Sequence, residues 1–521
     1  MRYQVEGVAD MSQPKRAVVL LLDSLNRHML GCYGGREFTT PNIDRLAARS
    51  QQFTNHYTGS LPCMPARHDI LCGALDFLWK PWGSIELWER PLTYELKRKG
   101  VVTQMITDHP HLFETGGENY HTDFFAWDYL RGHESDPWRT RPDPSWQGTP
   151  ALPAGTKYPE KASPYDLSRS YFREEADFPG PKTMQATADW LNQQGQHHEE
   201  FLLFVDEFDP HEPFDCPEPW ASLYGKNWSG DRIIWPPYTS SAIESGTLTE
   251  AEARHIRNNY GAKLSMIDHW LGKVLDALDA GNFWDDTLVI LCTDHGHYLG
   301  EKDIFGKPRV IQYETIGHTP LLIAHPELAP KEIHTLTTNV DLHATLSDLF
   351  GLEHEHVTHG QSLLPIMASP KTPHRDWAVG GIFGNWVQIQ DGRYKYARAP
   401  VDDNFPLSMW SNRWSTMPVP YYPGLRLPNP DQRAYIDFMP GSDVPVLRQP
   451  FEPGDMMPFW SLGGSVDDHY LFDLQEDPDE TQNLVGTPLE ATMIALLDDA
   501  LASLEAPKEQ AQRLGLPSAG G

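Results

Sequence analysis

The chain has 521 residues, 40% of them hydrophobic and 17 of them tryptophan, which is enough for one large domain and a smaller one and too apolar for a disordered protein. The 42 basic and 72 acidic residues give a formal net charge of −30, which argues against nucleic acid and anionic membranes as partners. The five cysteines show no zinc-type pairing. With no membrane-length apolar run and a polar segment over residues 1–16, we expect a cytoplasmic protein.

The first predicted element is a strand that ends in a carboxylate. Ala17–Leu22 is a continuous aliphatic run, which predicts a parallel strand covered on both faces. Asp23 follows it directly, and in open α/β sheets ligands bind beyond the carboxyl ends of the strands. A single strand-end Asp could equally cap the next helix.

The next stretch combines a cysteine with the start of a helix. Pro65 suits a first helical turn, because its missing N–H costs nothing there. Cys63 would then lie at a helix N-terminus, where free amide groups favour an anion. Arg67, one turn later, lies on the same face and could hold that anion or a cysteine-derived group. A buried structural cysteine is the simpler alternative.

Three further buried runs also end in acids or histidines. They are Val101–Thr107, followed by Asp108, His109 and His111; Phe201–Val205, followed by Asp206 and His211; and Thr287–Thr293, followed by Asp294 and His295. Because the carboxyl ends of parallel strands meet at one edge, we expect one site there. Carboxylate oxygen suits a Ca²⁺-like ion and neutral imidazole a Mn²⁺-like ion. His109 and His111 could contact a substrate or be ordinary loop histidines.

The C-terminal part of the chain differs in composition from the part before it. From about residue 379 a hairpin is predicted around Asp391-Gly392, and Pro488–Leu504 reads as a closing amphipathic helix. The Pro- and aromatic-rich residues 400–464, which include Trp410 and Trp460, should pack over the site mouth or a neighbouring subunit. We therefore predict an α/β domain over residues 1–378 and a C-terminal subdomain over 379–521.

Taken together, these blocks resemble the sulfatase family of the alkaline phosphatase superfamily, whose signature has the spacing Cys-x-Pro-x-Arg. The matching blocks are Leu22-Asp23 with Gly31–Gly34, Thr40–Ala47, Cys63–Arg67, Thr293–Gly296 with Gly306–Pro308, Arg393–Tyr396, and Leu471–Pro478 with Asn483-Leu484. The resemblance implies a large, mixed but mainly parallel sheet flanked by helices, with a smaller C-terminal α+β subdomain.

The resemblance also implies roles for individual residues. Asp23, Asp294 and His295 would hold a divalent cation together with the Cys63-derived group, with Ca²⁺ favoured and Mn²⁺ or Mg²⁺ as alternatives. A formylglycine-generating enzyme would convert Cys63 to formylglycine (3-oxoalanine), whose hydrate attacks sulfur with one hydroxyl and expels sulfate through the other. The remaining implied catalytic residues are Arg67 and Lys307, which would balance the sulfate charge, His211 as acid and base, and His109 or His111 as a second candidate.

Two departures from the family pattern bear on the substrate. Ser24 stands where many sulfatases have a second Asp, so it would be a weak metal ligand or a support for the ligands. The family's Lys-x-His pair is absent, and Asp108–His111 lies at roughly that place without a lysine. We predict hydrolysis of a small anionic sulfate monoester, of the arylsulfatase type. The alternatives are a phosphonate monoester or phosphodiester hydrolase and, from another class, a non-catalytic binding protein; a homo-oligomer is compatible with all three.

Overall fold

The structure is a computed structural model that describes residues 14–146, 163–225, 228–354, 356–412, 433–439, 443–452, 455 and 466–520. Its strands are β1 (Arg16–Leu22), β2 (Gln51–Phe53), β3 (His56–Tyr57), β4 (Val102–Thr107), β5 (Ala126–Tyr129), β6 (Phe201–Glu207), β7 (Thr287–Cys292), β8 (Tyr298–Leu299), β9 (Phe305–Gly306), β10 (Leu321–Ala324), β11 (Lys331–Ile333), β12 (Thr337–Thr338), β13 (Ala378–Gly381), β14 (Val387–Gln390), β15 (Tyr394–Arg398), β16 (Ser408–Ser411), β17 (Tyr435–Phe438), β18 (Pro445–Pro450) and β19 (Tyr470–Asp473). The helices are α1 (Pro41–Ala47), α2 (Cys63–Cys72), α3 (Leu92–Lys99), α4 (Pro164–Arg169), α5 (Pro179–Gln193), α6 (Glu250–Ala280), α7 (Glu314–Gly317), α8 (Val340–Leu349), α9 (Leu364–Ala368), α10 (Pro488–Ser503) and α11 (Lys508–Arg513).

Eight strands form the central sheet, in the order β11-β2-β10-β7-β1-β6-β4-β5. Strands β7, β1, β6, β4 and β5 run parallel to one another, whereas β10 is antiparallel to both of its neighbours. The predicted mixed, mainly parallel sheet flanked by helices is therefore confirmed. The direction of β10 could not be predicted, because its apolar run reads the same in either orientation.

Two hydrophobic cores cover the two faces of this sheet, and β1 contributes to both. Val18, Leu20 and Leu22 join the core that α1, α5 and α6 cover. The alternate residues of the strand join the core beneath α2, α3 and α8, namely Ala17, Val19 and Leu21. Burial on both faces explains why the strand is aliphatic throughout instead of alternating with polar residues.

The longest helix has a sequence-encoded beginning. The Thr249 hydroxyl accepts a hydrogen bond from the Glu252 N–H at 3.3 Å, and the Glu252 carboxylate accepts the Thr249 N–H at 2.8 Å. This reciprocal capping box begins α6, which runs from Glu250 to Ala280. None of the helices in the described part of the chain has the length and the apolarity that a membrane span requires.

The C-terminal part contains a four-stranded antiparallel sheet, β13-β14-β15-β19, whose core includes α10, α11 and residues that follow α2. The predicted hairpin is formed by β14 and β15. The described part of the 400–464 insertion, the sheet β16-β18-β17, packs Trp410 against Trp79 and Trp88. Trp460 and residues 413–432 lie outside the described residues, and the boundary at 378/379 stays a prediction.

Candidate active site

Three neighbouring parallel strands bring their carboxyl ends to one place. Asp23 follows β1, Asp206 lies near the end of β6, and Asp294 comes two residues after β7. Leu21 of β1 pairs with Asp206 on one side and with Cys292 on the other, which sets these ends at the same level. The backbone register therefore places three carboxylates side by side at the sheet edge.

Helix α2 brings Cys63 to these carboxylates. The helix begins at Cys63, carries Pro65 in its first turn, and ends where Gly73 takes a φ of +74° that favours glycine. The Cys63 Sγ atom lies 3.2 Å from His295 Nε2. One ligand atom from each of Asp23, Cys63, Asp294 and His295 lies within 4.8 Å of all the others, and all four side chains are buried.

This cluster fits a divalent cation. His295 Nδ1–H donates to the Gly296 carbonyl at 2.8 Å, which leaves the Nε2 lone pair directed into the cluster. Burial lowers the pKa of His295, so the imidazole is neutral, as a metal ligand must be. The two carboxylates supply oxygen ligands of the kind that Ca²⁺, Mg²⁺ and Mn²⁺ accept.

The Arg67 side chain forms ion pairs with all three carboxylates. Its guanidinium donates to both oxygens of Asp206, at 2.8 and 2.7 Å, and to Asp23 and Asp294, at 2.9 and 2.8 Å. It also donates to the Cys63 carbonyl at 3.2 Å. Burial would raise the pKa of Asp23, but the charges of Arg67 and Lys307 outweigh it, so the pKa is lowered and Asp23 stays ionised.

A lysine–histidine pair lies next to Cys63. Lys307, directly after β9, has its Nζ 2.7 Å from His211 Nε2 and 3.6 Å from Cys63 Sγ. His211 Nδ1–H donates to the Glu212 carbonyl at 2.7 Å, so Nε2 accepts from the lysine. Burial and the charge of Lys307 lower the pKa of His211 to about 3, which makes the ring neutral.

A buried lysine fixes the loop that carries His211. Lys263 Nζ, from α6, donates to the carbonyls of His211 and Pro213 at 3.1 and 2.7 Å and pairs with Asp209 at 2.5 Å. Glu212 accepts from Tyr238 and His297, the latter at 3.1 Å. The loop that carries His211 is therefore fixed by these hydrogen bonds as well as by its prolines, Pro210 and Pro213.

The two candidate histidines after β4 have different surroundings. His111 lies between Glu114 and Glu134, its Nε2 3.1 Å from the latter, and these carboxylates raise its pKa to about 10 against the effect of burial. His109 is fully buried, neither ring nitrogen has a partner among the described residues, and its Nδ1 lies 3.8 Å from Asp206. His109 is therefore the one nearer to the cluster.

Ser24 supports the cluster. Its hydroxyl donates to Asp23 at 2.7 Å and its backbone N–H donates to Asp294 at 3.0 Å, with a φ of +59° that is unusual for serine. Lys307 Nζ lies 3.4 Å from the same hydroxyl. Ser24 thus donates to both carboxylates, and its role as a weak metal ligand or as a support for the ligands stays a prediction.

Asp206, Glu212 and Lys263 were not predicted to be catalytic or metal-binding residues. The strand-end rule did point to Asp206, since it follows an apolar run as Asp23 and Asp294 do. Lys263 gave no such signal, because a lysine in a long helix is usually solvated. Asp108, the fourth strand-end acid, accepts the Phe208 N–H at 2.8 Å and makes no contact with Cys63.

Comparison with known proteins is consistent with this geometry. The Sulfatase family model matches residues 15–352. The choline-sulfatase of Rhizobium meliloti (strain 1021) is 27% identical over 423 residues, covering 74% of this chain and 78% of that protein. Arylsulfatase K of Xenopus laevis is 22% identical over 510 residues, covering 91% of this chain and 80% of that protein.

The fold also matches solved structures. The phosphonate monoester hydrolase of Agrobacterium radiobacter superposes with a TM-score of 0.63 over 96% of this chain and 97% of that chain, at 18% sequence identity. At this identity the likeness concerns the fold, and the chemistry has to be argued from the site itself.

Proposed function

The chain belongs to the sulfatase family and is a sulfuric ester hydrolase, and we propose that it cleaves sulfate monoesters, of the aryl type, with a formylglycine made from Cys63. The observation that carries this proposal is the contact of Cys63 with Asp23, Asp294 and His295 within one buried cluster. A helix N-terminus, a metal-type ligand set and a lysine meet at that one side chain.

The unmodified thiol is poorly suited to catalysis here. Burial and the charge of Asp23 raise the pKa of the Cys63 thiol well above its usual value. The thiolate, not the thiol, is the nucleophile, so an untouched Cys63 would be inert in this environment. A formylglycine supplies instead a hydrated aldehyde with two hydroxyl groups, which is the chemistry that oxidation of Cys63 would bring to the site.

A divalent cation would be held by Asp23, Asp294, His295 and the oxidised residue 63. When bound, such an ion polarises oxygen and makes a coordinated hydroxyl more acidic. The oxygen-rich set with one imidazole suits Ca²⁺, Mg²⁺ or Mn²⁺. Arg67 orients the carboxylates, since each of them accepts from its guanidinium.

Lys307 and His211 act on the ester. The proton in their 2.7 Å hydrogen bond lies on Lys307, because the pKa of His211 is lowered to about 3 and, against burial, the negative charges of Glu212 and Asp23 raise that of Lys307. Lys307 therefore presents a cation to the ester oxygens. His211 would take the proton that the attacking hydroxyl of the oxidised residue 63 gives up and would then pass it to the departing ester oxygen. His109 is a second proton carrier, within 3.8 Å of Asp206.

The aryl type of ester is proposed from the similarity to arylsulfatase K of Xenopus laevis, and an aromatic ring orients the two candidate imidazoles beside the site. Phe208 stacks on His211 with a centroid distance of 4.2 Å and on His109 at 4.5 Å.

Maturation in this proposal requires a formylglycine-generating enzyme in the compartment where the chain folds.

The test is a comparison of kcat/KM for an aryl sulfate, an aryl phosphodiester and an aryl phosphonate monoester with the same leaving group. The protein is co-expressed with a formylglycine-generating enzyme, and its metal content is measured on the same sample. We expect the sulfate to be the best substrate and all three activities to disappear in Cys63→Ala. Equal or faster turnover of the phosphodiester or phosphonate would assign the site to the alternative ester class.

A further inference from the structure

A second cluster of potential ligands lies away from Cys63. His343 of α8 and two histidines of the following segment, His354 and His356, form what we call the histidine triad. One ring nitrogen from each lies within 4.8 Å of the other two. The ring centroids of His343 and His354 are 4.4 Å apart, and those of His354 and His356 are 5.4 Å apart.

The partners of the two loop histidines fix their tautomers. His356 Nε2 lies 2.9 Å from the Cys72 carbonyl oxygen, which can only accept, so this nitrogen carries the proton. His354 Nε2 lies 2.7 Å from Ser347 Oγ, and that hydroxyl already donates to the His343 carbonyl at 2.7 Å. His354 Nε2 therefore carries a proton too, and both Nδ1 atoms present bare lone pairs.

Those lone pairs have no hydrogen-bond partner among the residues that the structure describes. His354 Nδ1 and His356 Nδ1 are buried atoms without a hydrogen-bond partner among the described residues. His343 is 0% exposed, and neither of its ring nitrogens has such a partner. Leaving a buried polar atom unpaired costs free energy, and one ring nitrogen from each of the three histidines lies within 4.8 Å of the other two, so one ligand shared by the three rings would satisfy them.

We propose that the histidine triad binds a divalent transition-metal ion of the Zn²⁺ class. Zn–N bonds are about 2.0–2.1 Å long, so two nitrogens on one ion lie at most about 4 Å apart, and the triad closes onto an ion by ring movements of about an ångström. The donors are nitrogen only, which excludes Ca²⁺ and Mg²⁺ as occupants. The hydrogen bonds to Ser347 and Cys72 are of the kind that orient metal-bound histidines.

The ion joins the segment after α8 to the helix that begins at Cys63. His356 donates to Cys72, the last residue of α2, and the His359 N–H donates to the Gly73 carbonyl at 2.7 Å. His356 also lines a cavity of about 330 Å³ together with Asp76 and Glu89, which gives the ion a route to solvent. The site is therefore structural, and it is separate from the oxygen-rich cluster at Cys63.

Metal binding by the purified full-length protein tests the proposal. The protein is stripped with a chelator, dialysed against Zn²⁺ or Ca²⁺, and assayed for bound metal; Co²⁺ loading adds a visible spectrum that reports imidazole ligands. We expect one equivalent of Zn²⁺ at the triad that Ca²⁺ does not displace. His354→Ala and His356→Ala should each lose this equivalent and its Co²⁺ spectrum, whereas His197→Ala, at an exposed histidine, should keep both.

Two further variants separate the triad from the Cys63 site and from simple misfolding. Ser347→Ala removes the acceptor of the His354 Nε2–H and the donor to the His343 carbonyl but no ligand, so it should weaken Zn²⁺ binding roughly 10- to 100-fold and leave the equivalent detectable. Cys63→Ala should keep the triad equivalent. The proposal is overturned if the wild-type protein takes up no Zn²⁺ that survives in Cys63→Ala, or if His354→Ala and His356→Ala bind as much as His197→Ala.

Discussion

At the scale of single residues, the charge balance of the site depends on Arg67. Its five donated hydrogen bonds go to three carboxylates and one carbonyl, and its side chain is 1% exposed. A guanidinium can serve this number of acceptors because its donors form a fixed planar fork. Arg67 was predicted to balance the sulfate oxygens and to steady the cysteine-derived group; in the structure its guanidinium donates to the carboxylates that would hold the cation and to the Cys63 carbonyl.

Replacing Arg67 should therefore destabilise the protein strongly. Arg67→Met leaves three buried carboxylates without their cation, and we expect the free energy of unfolding to fall by roughly 3–5 kcal/mol. The matched control is Arg45→Met, at an exposed ion pair with Asp276, which should cost less than about 1 kcal/mol. Urea denaturation measures both, and similar losses for the two variants would contradict this role for Arg67.

His211 should matter most when the leaving group needs a proton. In His211→Ala we expect kcat/KM for an alkyl sulfate to fall by about 10²–10⁴-fold, with a clearly smaller loss for an aryl sulfate that leaves easily as an anion. Steady-state kinetics on the two esters give the comparison. Equal losses on both would mean that the imidazole positions other groups and transfers no proton.

His111 should make stability depend on alkaline pH. Its pKa rises from 6.5 to about 10 on folding, because Glu134 and Glu114 outweigh burial. The stabilisation is complete below pH 6.5, where both states hold the proton, and it is lost as the pH rises towards 10, by up to about 1.4 kcal/mol per pH unit. Denaturation of wild type and His111→Gln at several pH values should show their difference shrinking across this window; a constant difference would refute the assignment.

At the scale of elements, α2 is fastened to the chain on both sides of it by Asp69. This buried carboxylate accepts the Ser60 N–H and hydroxyl, both at 2.7 Å, and the Asp76 N–H at 3.1 Å. The bonds fix the segment that leads into Cys63 relative to the helix itself. Asp69, in the last turn of α2, therefore fixes the position of Cys63 at the N-terminus of the same helix.

Removing this carboxylate should disturb both the fold and the site. Asp69→Ala leaves two buried backbone donors unpaired, which costs roughly 1–3 kcal/mol each, and we expect activity to fall because Cys63 is displaced. Asp276→Ala, whose side chain is 70% exposed, is the control and should change neither quantity appreciably. Unfolding free energies and kcat are measured on the same preparations; an Asp69→Ala enzyme as stable and active as the control would contradict the argument.

At the scale of the whole molecule, the sequence predicts the sheet better than it predicts the contacts. The aliphatic runs that became β1, β6 and β7 are readable because parallel strands are buried on both faces. The acids that follow these runs were also predictable as site residues, because ligands of such a sheet bind beyond the carboxyl ends of its strands.

The rest depends on long-range geometry that no local pattern contains. Nothing in residues 320–324 tells that β10 would insert antiparallel between β2 and β7. Likewise, the meeting of Arg67 with Asp206 joins residues 139 positions apart, and Lys263 reaches the His211 carbonyl across 52. Such contacts form only once the sheet and its helices have packed.

The most direct measurement for this account is mass spectrometry of the tryptic peptide that spans residues 50–67, taken from catalytically active protein. We expect Cys63 to be present as the aldehyde in a fraction that matches the specific activity across preparations made with and without a formylglycine-generating enzyme. Cys63→Ala should be inactive with an unchanged unfolding midpoint. An active preparation whose peptide carries only the intact thiol would contradict the account.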